Sequence, residues 1–596
     1  MHDSGIPKPR LGGDVYGVGV MRRLFLGSFA FLSISVATVA HAADLPVKAP
    51  PPAPAVWSWT GFYVGGHVGG LVGTSTFSNP YGSSVFGGTV TTPGFLSGLQ
   101  IGYNWTVAPR WVFGLQADGD YLASNGTSTC MQASGSIVGS NCRERPRALA
   151  TLTGRLGFVP DPEGRTLVYG KGGAAWSRTD ISVNPNNANL AAEGQDGRTF
   201  SLSGDPVIQG DPTSRSANAW GWTVGAGVER ALTPAWSASL EYDYYRFNGI
   251  SVATPETINA TLAGVVTTVP VNNSTVTQDF HVFKVGLNYR WGADPSAAWT
   301  AGYAPLAMPV KARPVVWTGG WEIEAGARYW YSSGRSENEN GIPQVSRLTY
   351  NGMSANSGEL FGRVDTPSNV FVKGFAGLGS IFAGKMNDED WSLPPGFLGD
   401  PTAYEVTQSD KITGSLSYAT ADIGYDVLRG PNYKVGAFIG YNYFHASMNA
   451  IGCTQLVQPP PNVCAPARPS GEMGISERDT WQSLRVGLAA EAPVWDRFKI
   501  SGDVAYLPYV LFSGLDTHWL RSPIVYFPAH GEGQGVQTEV LLSYLVTESF
   551  SVGVGGRYWA MWTNNASNTD GTNPWAPYKA NVERYGVFVQ AAYKLY

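Results

Sequence analysis

Along much of this chain, apolar residues recur at every second position. Over 282–291, Phe283, Val285, Leu287, Tyr289 and Trp291 share one face, and Lys284, Gly286, Asn288 and Arg290 share the other. Over 549–558, Phe550, Val552, Val554 and Tyr558 oppose Ser551, Gly553, Gly555 and Arg557. Over 433–443, Tyr433, Val435, Ala437, Ile439 and Tyr441 alternate with Lys434, Gly436, Gly440 and Asn442. A period of two is the mark of a β-strand, whose successive side chains point to opposite faces. A soluble sandwich also alternates, but there the apolar side faces a core. Here aromatics gather at strand ends and the opposite face is small or polar, which predicts strands with lipid outside and a polar lumen inside.

The rhythm predicts strands near 61–70, 96–105, 111–122, 148–159, 165–178, 219–230, 235–247 and 280–291. A second series falls near 320–333, 343–366, 368–381, 410–428, 432–449, 480–494, 497–511, 536–546, 549–563 and 584–596. Their connections alternate. Thr106–Arg110, Pro160–Gly164 and Leu232–Pro234 are short, while 71–95, 123–147, 179–218 and 248–279 are long. Short turns at one end and long loops at the other are the layout of outer-membrane barrels. A lead-in also repeats: Pro46-Val47-Lys48-Ala49 with Trp59-Thr60-Gly61, then Pro309-Val310-Lys311-Ala312 with Trp317-Thr318-Gly319. The expected fold is all-β, two tandem antiparallel transmembrane β-barrels of about eight and about ten strands. The boundaries read as an N-terminal extension with export signal over 1–42, a Pro-rich linker over 43–56, a barrel over 57–292, an Ala/Pro-rich linker over 293–316 and a second barrel over 317–596.

Composition sharpens this reading at three points. Met21-Arg22-Arg23, the apolar run Leu24–Val39 and Ala40-His41-Ala42 form a secretory signal cleaved before Ala43, too short for a membrane anchor. Residues 1–20 are polar and Gly-rich, which such a signal does not need. The net charge of −5 leaves no basic footprint, so nucleic acid is not an expected partner. The four cysteines lie as Cys130/Cys142 and Cys453/Cys464, each pair inside one polar loop. Export to an oxidising compartment favours two local disulfides over a metal site, and no histidine neighbours either pair.

Trp59-Thr60-Gly61-Phe62-Tyr63-Val64-Gly65-Gly66 resembles the opening of the OmpA-like surface-antigen barrels, a likeness that spans 57–292. The interior of an eight-stranded barrel is filled by side chains, so open transport is not expected there. Its histidines, His67 and His281, fall in strand segments and read as packed residues rather than haem ligands.

Chemistry concentrates in the second half, in Asp388-Glu389-Asp390-Trp391 and Asp516-Thr517-His518. Each follows a segment that reads as an up-going strand. Residues i and i+2 of an extended chain point the same way, so Asp388 can face the lumen with Asp390, and Asp516 with His518. An imidazole titrates near neutral pH and suits a general base towards water. Asp516 would orient it, and Asp388 and Asp390 would hold the water from the opposite wall. One of that pair is expected to keep a proton, since close carboxylates resist double ionisation.

These motifs, with Val345-Ser346-Arg347-Leu348 and Pro431-Asn432-Tyr433-Lys434-Val435-Gly436, resemble the omptins, ten-stranded outer-membrane endopeptidases. The likeness covers 320–596 and implies an aspartic-type hydrolase with Asp388, Asp390, Asp516 and His518 as catalytic residues. It implies a peptide or protein substrate, no metal or cofactor, and outer-membrane lipid or lipopolysaccharide as partner. Several positions depart from it. Gly514 stands where basic-specific omptins carry an acid, and Glu337 is the nearest acid beyond the first strand. Only Ser409 matches the Ser and His expected before the fourth strand. The fifth strand offers Tyr441, Tyr443 and His445, with no Arg for lipopolysaccharide. Glu322, Glu324 and Arg328 share the inward parity of the first strand, fit for a cleft or for a lumenal charge network. The competing expectation is a non-catalytic structural, surface-antigen or ligand-binding barrel, since a fold does not fix chemistry. A wide porin channel is disfavoured by strand number.

Overall fold

The structure, a computed structural model, describes residues 58–80, 87–132, 139–161, 164–185, 212–255, 257–260, 266–291, 320–340, 346–391, 404–430, 433–457, 464, 471–495, 497–569 and 576–595. The export signal, the Pro-rich lead-in and the 293–316 linker lie outside them. Every regular element among the described residues is a β-strand. In the first half these are β1 (Gly61–Phe77), β2 (Thr89–Ala108), β3 (Trp111–Ser124), β4 (Gly126–Gln132), β5 (Gly139–Phe158), β6 (Thr166–Pro185), β7 (Thr213–Ala231), β8 (Trp236–Ala253), β9 (Thr257–Ala260), β10 (Val266–Val269) and β11 (Asn273–Trp291). The second half holds β12 (Glu322–Asn340), β13 (Ser346–Asn351), β14 (Ala355–Asp365), β15 (Val370–Ile381), β16 (Lys385–Trp391), β17 (Tyr404–Gln408), β18 (Lys411–Gly430), β19 (Tyr433–Ile451), β20 (Thr454–Val457), β21 (Met473–Trp495), β22 (Phe498–His518), β23 (Val525–Leu545), β24 (Phe550–Asn568) and β25 (Ala576–Leu595).

Antiparallel pairing joins β3-β2-β1-β11-β8-β7-β6-β5, and β5 pairs back to β3 to close a ring of eight. In the second half β14-β15-β18-β19-β21-β22-β23-β24-β25-β12 close through β12 and β14 into a ring of ten. Closure leaves no unpaired edge in lipid, where an orphan backbone amide costs several kcal/mol. The strands run longer than the apolar alternation at their long-loop ends. There polar residues continue the ladder beyond the membrane, as in β2, which begins at Thr89. β13, β16, β17 and β20 pair in series outward from β12 on that same side.

The alternation sorts as its physics requires. Leu99, Leu152, Tyr329, Leu360, Leu378, Ile423 and Val589 stand exposed on the outer faces, an apolar belt suited to lipid. The first lumen is packed with charge. Lys171 Nζ lies 2.6 Å from Glu241 and 3.2 Å from Asp243, and Arg155 donates to Glu229 at 2.6 Å. His67 belongs to this network, bonded to Gln100 at 3.0 Å and to Asp120, so it has partners that the sequence did not reveal. His281 points outward and bonds Tyr242 at 2.7 Å.

The second lumen is layered. Near the short-turn end Lys434 Nζ reaches Glu322 at 2.8 Å and Asp365 at 3.2 Å, and Lys499 lies 3.6 Å from Glu324. Above them Arg557 donates to Glu359 at 2.7 Å and to Glu539 at 2.6 Å, and Arg328 joins Glu359 at 2.9 Å. Glu322, Glu324 and Arg328 therefore belong to a lumenal charge network, and Glu324 and Arg328 also line a cavity within it. Trp330, Tyr418, Phe444 and Trp559 cross the lumen next, with Trp330 and Trp559 at 5.0 Å between ring centroids. This aromatic layer is the floor beneath the long-loop mouth.

Candidate active site

Two strands bring the acidic motifs to that mouth, and both motifs lie within strands rather than in loops. Asp516 and His518 are the last inward residues of β22. Asp388 and Asp390 face inward from β16, which pairs with β13 so that Leu348 opposes Asp388 and Ser346 opposes Asp390. The ladder carries on past the membrane because each polar strand finds a partner there.

His518 Nε2 lies 2.9 Å from Asp516 Oδ2. In that orientation Nδ1 is the ring nitrogen left to accept a proton. The edge of Phe527 packs on the imidazole at 5.2 Å between centroids and fixes its plane. Asp390 sits within electrostatic reach of His518, Asp516 and Arg521. Burial pushes its carboxyl up, opposed by the charge of His518 and a bond from Ser346. Asp388 and Asp516 both act on Tyr350 at the base of the same cluster. The structure thus gathers all four predicted residues at one mouth.

Two further acids share it. Glu477 and Asp479 face inward from β21, beside β22, and both are almost wholly buried. They lie beyond the outward apolar belt, which ends on β21 at Leu484. Ser336 Oγ is 3.3 Å from Asp479 Oδ2. The two acids bond one another and Asn338, and neither is paired with a Lys or Arg among the described residues. Burial raises the pKa of both acids, and their mutual charge and that of Asp516 raise Glu477 further. Asp479 stands directly opposite Gly514 in the β21–β22 register. A Cβ at 514 would come 3.1 Å from Asp479 Oδ1 and 2.7 Å from the Phe512 ring. The Asp479 carboxylate therefore borders the space that a side chain at 514 would enter. Sequence alone missed this pair, although Glu477-Arg478-Asp479 has the i, i+2 spacing of the other motifs.

The remaining expectations separate. Glu337 lies on the outward face of β12, paired with Arg335, and is not a cleft acid. Ser409 is structural: its hydroxyl accepts from the Met386 amide at 2.8 Å and anchors the start of β16. His445 bonds Thr480 at 2.9 Å on the outer wall. Cys130–Cys142 and Cys453–Cys464 are joined as disulfides, with Cα separations of 5.7 and 5.5 Å. Among the described residues no group of three or more His, Cys, Asp or Glu is placed to hold a metal.

Two closed rings with apolar belts and polar lumens define an outer-membrane β-barrel protein. The family described as outer membrane protein beta-barrel domain matches residues 29–291, and the omptin family matches 362–582. A 31 kDa outer-membrane immunogenic protein of Brucella melitensis biotype 1 is 31% identical over 283 residues, covering 46% of this chain and all of that relative. A 22 kDa outer membrane protein of Rhizobium leguminosarum bv. viciae is 28% identical over 191 residues, 31% of this chain and 64% of that protein. Outer membrane protease OmpT from Escherichia coli aligns over 46% of this chain and 96% of its own, at 20% identity and a TM-score of 0.38. The chain belongs to the outer-membrane β-barrel family through its first half, and its second half carries a match to the omptin family over 362–582. Its place is the Gram-negative outer membrane.

Proposed function

We propose that the second barrel is an outer-membrane endopeptidase that hydrolyses peptides at its mouth with water activated by His518. The observation that carries this reading is the 2.9 Å Asp516–His518 pair within electrostatic reach of Asp390. Water between the two walls gives a proton to His518 Nδ1 as its oxygen bonds to the scissile carbonyl carbon. Asp516 stabilises the imidazolium, as a buried carboxylate does beside a general-base histidine. Asp388 and Asp390 hold the water, and a protonated Asp390 can donate to the developing oxyanion. The imidazolium then returns its proton to the leaving amine as the C–N bond breaks.

Glu477 and Asp479 supply the specificity. A buried carboxylate pair with neutral donors from Ser336 and Asn338 but no ion pair to Lys or Arg among the described residues favours a ligand cation, and a guanidinium or ammonium matches it in charge and donor count. Asp479, opposite Gly514, takes the part that the omptin resemblance assigns to an acid at 514. The preferred substrate is therefore a peptide with Arg or Lys next to the cleaved bond.

The test is a quenched-peptide library presented to the full chain refolded with lipopolysaccharide. His518→Ala and Asp388→Ala are expected to lower kcat/KM by at least ~10²-fold, the usual share of a positioned acid or base. Asp479→Asn is expected to raise KM for basic peptides selectively. Equal inertness of the folded wild type and both alanine variants would overturn the protease reading in favour of a binding barrel.

A further inference from the structure

The residue between the two mouth aspartates points the other way. Glu389 faces out of the second ring, opposite Arg347 in the β13–β16 register, and is 1% exposed. The first barrel covers it. Thr129 of β4 donates its hydroxyl to Glu389 Oε1 at 2.5 Å and accepts from Arg347 Nη1 at 2.7 Å. Asn141 of β5 accepts from Arg347 Nη2, and Thr127 donates to Glu339, which also meets Arg347 at 3.2 Å. β4 and β5 are two arms of one hairpin, tied by Cys130–Cys142 next to Thr129 and Asn141.

Glu339, Arg347 and Glu389 form a buried ionic group of the kind that is costly unless its remaining lone pairs and protons are satisfied. The hairpin supplies four such contacts from three short side chains, Thr127, Thr129 and Asn141, that have little rotamer freedom to lose. Casual packing of two barrel walls gives apolar contact, as between Phe95 and Tyr506 at 5.0 Å. A directed polar set on the strand that carries the aspartates is a different kind of contact. Because alternate residues of a strand share one backbone, holding Glu389 from outside fixes where Asp388 and Asp390 point inside.

We propose that the first barrel's Cys130–Cys142 hairpin is a positioning strap for the proteolytic mouth, with Thr129 holding Glu389 and thereby the Asp388/Asp390 pair. This rests on the reading of that pair as the water-holding wall. It gives the tandem a mechanical purpose: one barrel braces the site of the other. A misplacement of about 1 Å can cost ~10²-fold in rate, so a positioning contact is visible in kcat.

The test uses the full chain in outer-membrane vesicles, with Thr129→Val removing the hydroxyl at nearly constant shape and Thr129→Ser restoring it. Folding is checked by gel mobility before and after boiling. Hydrogen exchange of the 385–391 amides is expected to quicken in Thr129→Val while that of 498–518 stays as in wild type. kcat is expected to fall about tenfold with KM within twofold, and Thr129→Ser to recover both readouts. Unchanged exchange at 385–391 in a folded Thr129→Val overturns the strap. So does quickened exchange with unchanged kcat in an active enzyme. If exchange responds while every protein, wild type included, is inert, the brace on β16 stands and the protease reading is what fails.

Discussion

Glu477 and Asp479 show at the residue scale how a barrel mouth stores a demand for positive charge. Each is buried, and each is raised above the ordinary carboxylate range chiefly by burial. The folded state therefore keeps protons that the unfolded chain has released, and stability falls as pH rises from the ordinary carboxylate pKa through the raised one. Thermal unfolding in detergent micelles should show Tm declining over that window. A Glu477→Gln/Asp479→Asn double variant should flatten the decline and be more stable than wild type at its alkaline end. A decline of equal slope in both proteins would remove this pair as its source. Asp388, Asp390, Asp516 and His518 were legible because their two short motifs resemble those of the omptins and their i, i+2 spacing lets each pair share a face. Glu477 and Asp479 were not legible, because their meaning depends on Gly514 one strand away.

At the scale of elements, strands in these rings approach as closely as their glycines allow. Gly533 sits at a register irregularity between β23 and β24, and a Cβ there would lie 1.8 Å from the Trp562 carbonyl oxygen. That neighbour is backbone and cannot turn aside. Gly358 on β14 is its control, with nothing within 4 Å of an added Cβ. Gly533→Val should abolish the folded, boiling-sensitive gel band, whereas Gly358→Val should retain it. Two folded variants would mean that β23 and β24 can part without opening the ring. The existence, order and direction of the ring strands were readable from alternation and loop length, whereas β4, β9, β10, β16, β17 and β20 fall in stretches that read as loops and β13 merges with β14. Strand ends were not readable, because β2, β12 and β22 run past the apolar belt on polar residues that carry no hydropathy signal. That overrun makes Asp516-Thr517-His518 strand-borne, and the separate strand β16, paired with β13, does the same for Asp388-Glu389-Asp390.

For the whole molecule, the decisive feature is a lumen closed by its own side chains. Arg557 pairs with Glu359 and Glu539 while its guanidinium stacks 4.8 Å from the Trp330 ring and 4.5 Å from that of Phe375. Removing one partner of such a buried group strands the others, at a cost of ~3–5 kcal/mol. Arg557→Leu should lower the guanidinium midpoint of micelle-refolded protein accordingly, read by tryptophan fluorescence. Adding Glu359→Gln and Glu539→Gln should recover part of the loss. No recovery would mean that stacking on the aromatic layer, rather than charge pairing, is what Arg557 contributes.

The sequence by itself determined that this is an all-β outer-membrane protein of two tandem barrels, because a lipid-facing strand must alternate and a closed ring must return by turns of alternating length. Its resemblance to the omptins pointed to which four residues to seek, and spacing along an extended strand predicted that each pair shares a face. Only the tertiary structure decided that the two motifs meet at one mouth, that Asp479 borders the space left by Gly514, and that a hairpin of the first barrel rests on Glu389. Each of these is a contact between residues far apart in the chain, set by register and ring closure, and no local pattern encodes a distance across a lumen.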